Sequence, residues 1–156
     1  MNTLILYDSQ YGNTERIAQA IADALREFGD VRAAHIGSGQ AVELDGVDLL
    51  LVGSPTQGWN ATKAMQAFLG SISSDRLRDK AIACFDTRFR KPRWMTGSAA
   101  KSMAGKLQGM GFTLLVPPES FFVAHSEGPL ESGELERAGT WARMLVNKVE
   151  TLQPIG

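Results

Sequence analysis

The chain has 156 residues, 44% hydrophobic and 21% charged, with a formal net charge of −1 from 16 basic and 17 acidic side chains. That composition suits one globular domain, long enough to bury about 70% of its unfolded surface without a disulfide or metal staple. Balanced charge makes no case for nucleic acid, the single cysteine excludes a disulfide framework or cysteine-cluster metal site, and no run nears the about 20 apolar residues that span a bilayer. No secretory signal opens the sequence, so the expectation is one domain over 1–156, monomeric and cytoplasmic, inserted in no membrane.

In chain order, a short apolar run, Leu4-Ile5-Leu6-Tyr7, leads into Ser9-Gln10-Tyr11-Gly12-Asn13-Thr14. A helical period then follows through Ile17, Ile21, Leu25 and Phe28. Strand, tight loop and helix in that order place free backbone N–H groups and a helix dipole at the loop, a site suited to a phosphate. Ser9 and Thr14 add hydroxyls, Gln10 and Asn13 amides, Tyr11 a phenol, and Gly12 permits close backbone approach. The plainer alternative is a connection in which Asn13 or Thr14 only caps the helix.

Gly29-Asp30 ends that element, Val31 to Ile36 reads as a second strand, and Gly37-Ser38-Gly39-Gln40 has turn chemistry. Val47 to Gly53 is nearly continuous apolar sequence, as in a parallel strand buried on both faces. A second loop, Ser54 to Asn60, precedes a helix from Thr62 carrying Met65, Phe68 and Leu69. Lys80 to Phe85 is the fourth strand, with Cys84 read as a small buried hydrophobe. A third loop runs from Asp86 to about Thr96, and the next helix shows Ala100, Met103, Ala104 and Leu107 on one face before Gly109 or Gly111. Phe112 to Val116 reads as the fifth strand, interrupted by Pro117-Pro118 and resumed at Phe121-Phe122-Val123. A helix from about Glu131 to Leu152 buries Leu135, Ala138, Ala142, Leu145 and Val149, and Pro154-Ile155-Gly156 reads as a plain terminus.

Strands alternating with helices make an α/β fold: a doubly wound, five-stranded parallel sheet in a three-layer sandwich. In a 2-1-3-4-5 order the loops after strands one, three and four meet at the C-terminal sheet edge, where such folds bind ligands. These are the three most distinctive loops in the chain, and their convergence strengthens the phosphate reading.

At this point the residues resemble the flavodoxin family, over nearly the whole chain and in its short-chain form. Ser9–Thr14 resembles the family's FMN phosphate loop, Gly53-Ser54-Pro55-Thr56 the start of its second flavin loop, and Cys84-Phe85-Asp86-Thr87-Arg88-Phe89 its third. Glu127-Gly128-Pro129-Leu130 is also similar to some members. The resemblance implies noncovalent FMN that cycles through one- and two-electron-reduced states and passes electrons to partner proteins. It implies a cofactor set of Ser9, Gln10, Tyr11, Gly12, Asn13, Thr14, Pro55, Thr56, Gln57, Gly58, Trp59, Asn60, Asp86, Thr87, Arg88, Phe89 and Trp94, with no metal and no catalytic side chain.

Trp59 and Phe89 are candidates to stack on the flavin ring, with Trp94 as a competitor. The resemblance also makes Gly58 a candidate for a peptide that turns its carbonyl toward the flavin on reduction; a plain turn glycine is the alternative. Departures matter: Gln57-Gly58 separates Thr56 from Trp59, Phe89 stands where tyrosine is usual, and Phe85 stands where glycine is usual. Arg88, Arg90, Lys91 and Arg93 make the third loop basic, whereas typical members are acidic there. Such cations favour an anionic reduced flavin and would attract a partner with an acidic docking surface, unless they are solvated charges paired with acids elsewhere.

His35 and His125 read as structural residues isolated from carboxylates, and the six methionines as core. An electron carrier, rather than a substrate-converting enzyme, is the leading expectation. An FMN-dependent oxidoreductase, acting as an NAD(P)H:quinone reductase or on porphyrinogens, is the alternative. A non-flavin signalling domain is a third; it would need more acids at the first strand end than Asp8.

Overall fold

Thr3–Tyr7 (β1), every residue of it buried, lies inside a sheet ordered β2-β1-β3-β4-β5. The computed structural model describes residues 1–38 and 42–152. The remaining elements are α1 (Asn13–Leu25), β2 (Val31–His35), β3 (Leu49–Pro55), α2 (Lys63–Ser71), α3 (Ser74–Leu77), β4 (Ala81–Phe89), α4 (Arg93–Thr96), α5 (Ala99–Gly109), β5 (Glu119–Val123) and α6 (Glu134–Leu152). All four strand pairings are parallel, so the sheet is the expected five-stranded doubly wound one.

Alternate residues of each strand face opposite layers. Ile5, Leu49, Leu51, Ala83, Phe85 and Phe121 pack against Ile17, Ile21 and Leu25 of α1 and Trp141, Ala142 and Leu145 of α6. Leu4, Leu6, Leu50, Val52, Ile82 and Cys84 pack on the other side against Met65 and Leu69 of α2 and Met103 and Leu107 of α5. Both faces are covered, which explains why β3 and β4 read as unbroken apolar runs.

Several element boundaries differ from the sequence expectation. Phe112–Val116 is not the fifth strand: its Leu115 N–H reaches Ile82 O at 2.8 Å, and the paired strand begins only at Glu119. Pro117 and Pro118 have no N–H to give a ladder, so pairing with β4 starts beyond them. β4 continues four residues past the expected end because β5 pairs with it from Phe85↔Glu119 to Phe89↔Val123. Asp86, Thr87, Arg88 and Phe89 are therefore strand residues, not loop residues. The first helix tightens into a 3₁₀ turn over Arg26–Phe28, and α6 starts at Glu134 rather than about Glu131. The expected turn at 37–40 lies partly, and the terminus at 154–156 wholly, outside the described residues.

Candidate functional site

The β1–α1 connection is built around Ser9 and Gly12. Gly12 adopts φ +90° as the residue before α1, a left-handed conformation that favours glycine. Ser9 Oγ accepts the N–H groups of Gly12 at 3.1 Å and Glu15 at 3.4 Å. The first helical turn leaves N–H groups without intrahelical partners, and among the described residues no protein acceptor meets those of Asn13 and Thr14. Neither Asn13 nor Thr14 acts as the cap residue, so those donors remain available to an anion.

Hydrogen bonds fasten this loop to the others. Thr14 Oγ1 and Thr87 Oγ1 lie 2.8 Å apart in a buried contact between α1 and β4. Gln57 Nε2 donates to Gln10 Oε1, and Asn13 Nδ2 donates to Glu127 O at 3.2 Å. Thr56 N–H donates to Thr87 O at 2.9 Å, and Ala99 N–H to Thr56 Oγ1 at 3.1 Å. Three loops distant in sequence thus form one rim.

Gln57 and Asn60 exchange backbone bonds of 2.8 and 3.0 Å around Gly58 and Trp59, whose φ values are +54° and +68°. Two positive φ values inside a two-residue hairpin make a type I′ turn. A left-handed tryptophan is uncommon, and the backbone beneath explains how it is held. Gly97 bridges to Trp59, and a Cβ at Gly97 would lie 2.3 Å from Trp59 Cα, so only glycine allows the hairpin to settle there.

These elements enclose an open cavity of about 570 Å³ at the C-terminal sheet edge. Of the residues expected there, Ser9, Gln10, Tyr11, Asn13, Thr14, Pro55, Thr56, Gln57, Gly58, Trp59, Thr87, Arg88 and Phe89 line it. Four do not. Gly12 supplies the left-handed turn into α1. Asn60 turns its side chain to Ala61 N–H and Ser102 Oγ. Asp86 is fully buried under α5, accepting Ser98 Oγ–H at 2.6 Å and Ala100 N–H at 3.0 Å. Burial pushes the pKa of its carboxyl up, partly offset by those bonds. Trp94 is 79% exposed and stands outside the cavity.

Lys91, Met95, Thr96, Val123 and Ser126 complete the lining and were not anticipated. Lys91 belongs to the basic run and Met95 and Thr96 follow it by a few residues, whereas Val123 ends β5 and Ser126 lies just beyond it. Tyr11, Trp59 and Phe89 give the wall its aromatic surface, with Trp59 61% and Phe89 37% exposed.

The basic run divides into distinct roles. Arg88 Nε donates to Ser120 Oγ at 2.8 Å, and Nη1 to Lys91 O at 2.6 Å and Thr96 Oγ1 at 3.2 Å. Burial and Arg93 lower its pKa, while Asp86 and Glu119 oppose the shift; a guanidinium stays charged throughout. Arg90 lies 4.3 Å above the Phe122 ring and pairs with Glu131 at 2.8 Å. Lys91 and Arg93 have no carboxylate at ion-pair distance among the described residues.

His35 is not isolated from carboxylates, contrary to the sequence expectation. Its Nε2 is 2.7 Å from Asp8 Oδ1, and its ring stacks on Tyr7. The parallel register sets Tyr7 opposite His35, a proximity invisible before the strand order is known. Thr62 Oγ1 donates to Asp8 Oδ2 at 2.5 Å. Burial alone would raise the Asp8 pKa, but the bonds from Thr62, His35 and Ser9 N–H outweigh it and hold the carboxyl below its usual range. These residues support the loop base without lining the cavity. Among the described residues no group of three or more His, Cys, Asp or Glu could hold a metal, and no helix is long and apolar enough to cross a membrane.

A family model described as a flavodoxin domain matches residues 4–109. The type A flavoprotein FprA of Rhodobacter capsulatus is 29% identical over 136 residues, covering 83% of this chain and 30% of that protein. A flavodoxin of Aquifex aeolicus is 32% identical over 85 residues, covering 52% of this chain and 46% of that one. The chain thus spans less than half the length of these curated relatives. Among solved structures, oxidised flavodoxin 2 of Bacillus cereus superposes with a TM-score of 0.77 at 24% identity, covering 95% of this chain and 99% of that one. Rubredoxin oxygen:oxidoreductase of Desulfovibrio gigas gives 0.74 at 21%, covering 96% of this chain and 36% of that one.

Proposed function

This chain belongs to the flavodoxin family, whose cofactor is FMN, and we propose that it serves as an electron carrier between redox partner proteins. When bound, FMN supplies a ring that takes up and releases electrons singly or in pairs. The observation that carries the reading is the meeting, in one cavity, of an anion-ready helix start and an aromatic wall.

In this reading the first loop holds the phosphate. Asn13 and Thr14 N–H groups and the Thr14 hydroxyl supply donors, and the α1 dipole favours the negative charge. Pro55, Thr56 and Thr87 form the floor for the sugar-alcohol chain. Trp59 and Phe89 cover the ring and exclude water from its faces. Gly58 and Trp59 present backbone polar groups at the ring edge, since those of Gln57 are bonded to Asn60. Arg88, fixed by Ser120, Lys91 and Thr96, adds a positive charge that favours an anionic reduced ring.

The protein is placed in the cytoplasm and acts as a monomer in this proposal. Titration of the flavin-free protein with FMN and with riboflavin tests it. FMN should bind at least about a hundredfold more tightly, since its phosphate gains several charge-assisted bonds worth about 1.5–3 kcal/mol each. Equal affinity would remove the phosphate loop from the account. Rapid bleaching of the bound flavin by NADH or NADPH would instead favour the oxidoreductase alternative.

A further inference from the structure

Two features of the third connection lie outside the cavity lining, the exposed Trp94 and the cation Arg93 beside it. Lys91 at the cavity mouth adds a second cation with no carboxylate at ion-pair distance among the described residues. We infer that α4 is a docking platform for an acidic redox protein, an inference that rests on the electron-carrier reading.

Trp94 is the most exposed large hydrophobic side chain of the described residues at 79%, and neighbouring Met95 is 44% exposed. This exposure does not come from a loose segment. Gly97 N–H closes the turn on Arg93 O at 2.6 Å, and Met95 N–H on Pro92 O at 2.9 Å. Trp59 Nε1 donates to Trp94 O at 3.4 Å, and Arg88 grips Lys91 O and Thr96 Oγ1 from beneath. The backbone of α4 is thus anchored on both sides while the Trp94 ring faces outward. Ordering entropy on binding is correspondingly small.

Position favours electron transfer. Lys91, Met95 and Thr96 line the cavity mouth, so a protein seated on Trp94 would lie against the edge of the cofactor site. Charge selects the occupant. Arg88 and Arg90 are committed to Ser120 and Glu131, whereas Lys91 and Arg93 face no carboxylate at ion-pair distance among the described residues. An aromatic anchor rimmed by free cations suits a protein patch carrying carboxylates. An extended polyanion fits less well, because the chain carries a net charge of −1 and the cations form one short cluster. The transfer moves one electron between the flavin and the partner's redox centre, the lower-potential centre being oxidised and the other reduced, with no bond formed or broken in either polypeptide.

The test uses the FMN-loaded protein with two probes, an acidic [2Fe–2S] ferredoxin and a cationic c-type cytochrome. Calorimetry of the oxidised protein measures binding, and stopped-flow mixing measures electron transfer across a range of salt, from the reduced ferredoxin to the oxidised protein and from the reduced protein to the oxidised cytochrome. The acidic probe should bind and react faster as salt falls; the cationic one should not. Arg93→Glu should flatten the salt dependence for the acidic probe, and Trp94→Ala should weaken its binding at least about tenfold while leaving the salt slope and FMN affinity unchanged. Failure of the acidic probe to bind, or equal effects on both probes, would overturn the platform. So would loss of FMN from Trp94→Ala, which would assign Trp94 to the cofactor. Binding without electron transfer would instead retain the platform and reject the carrier reading.

Discussion

Thr14 and Thr87, 73 residues apart in sequence, share a buried hydroxyl–hydroxyl bond of 2.8 Å. It joins the first turn of α1 to the far end of β4, fixing the anion-ready loop against the strand that carries Arg88 and Phe89. Thr87→Val keeps the shape and removes one partner, so the flavin-free protein should lose about 1 kcal/mol in urea unfolding with an unchanged m-value. Thr14→Val combined with Thr87→Val should recover part of that loss, since no polar atom is then stranded. A double variant as unstable as the sum of the singles would contradict the coupling.

Gly53 and Phe85 face one another across β3 and β4, and a Cβ on Gly53 would fall 2.2 Å from the Phe85 ring. Phe85 also packs edge-on to Phe121 and Trp141. This accounts for the phenylalanine where glycine is usual: the adjacent glycine makes room for a ring that joins three elements. Gly53→Ala should cost about 1–3 kcal/mol through overpacking, and Phe85→Ala about 3–5 kcal/mol through the cavity left. Gly53→Ala should cost much less when introduced into Phe85→Ala, and additive losses in thermal or urea unfolding would argue against the steric pairing.

The Gly58–Trp59 turn offers a conformational choice. Turning its central peptide over would convert type I′ to type II′, which requires glycine first and returns Trp59 to negative φ, relieving about 1–2 kcal/mol of left-handed strain. Gly58→Asn tolerates the present turn but not the flipped one, whereas Gly58→Ala disfavours both. If the flip accompanies reduction, both variants should lower the fraction of one-electron-reduced flavin at half reduction. Unchanged fractions would leave Gly58 as a turn residue only.

Asp8 and Asp86 should have opposite pH signatures. The Asp8 pKa is held below its unfolded value, so its contribution is present above about pH 4 and fades as pH falls through the lower folded value. Asp86 is raised by burial, so its contribution is full below about pH 4 and is lost as pH rises through the higher folded value. Urea unfolding across pH should show Asp8→Asn flattening the acid-side loss and Asp86→Asn removing a decline toward neutral pH. The same slope change from both variants would contradict the assignment.

The sheet was readable from the sequence because each strand is an apolar run bounded by turn residues, and the 2-1-3-4-5 order then brought Ser9, Thr56 and Thr87 to one edge. The fifth strand was misplaced because Phe112–Val116 is apolar and β-prone; only pairing shows that the prolines precede the strand rather than interrupt it. The strand's end at Val123 agrees with the sequence reading; what the sequence did not show is that this end opens onto the cavity. The Asp8–His35 pair was missed for a related reason, since a parallel crossover separates residues by a whole helix before returning them to contact. Asp86 follows a different logic: its type suits a cofactor site, but its strand register aims it at the α5 N-terminus.

The most direct measurement is the visible spectrum of the FMN-loaded protein during stepwise anaerobic reduction with dithionite. An electron carrier should build up a long-wavelength band of one-electron-reduced flavin at intermediate reduction and lose it on completion. Bleaching in a single two-electron step, reproduced by NADH or NADPH, would contradict the carrier and assign the cavity to an oxidoreductase.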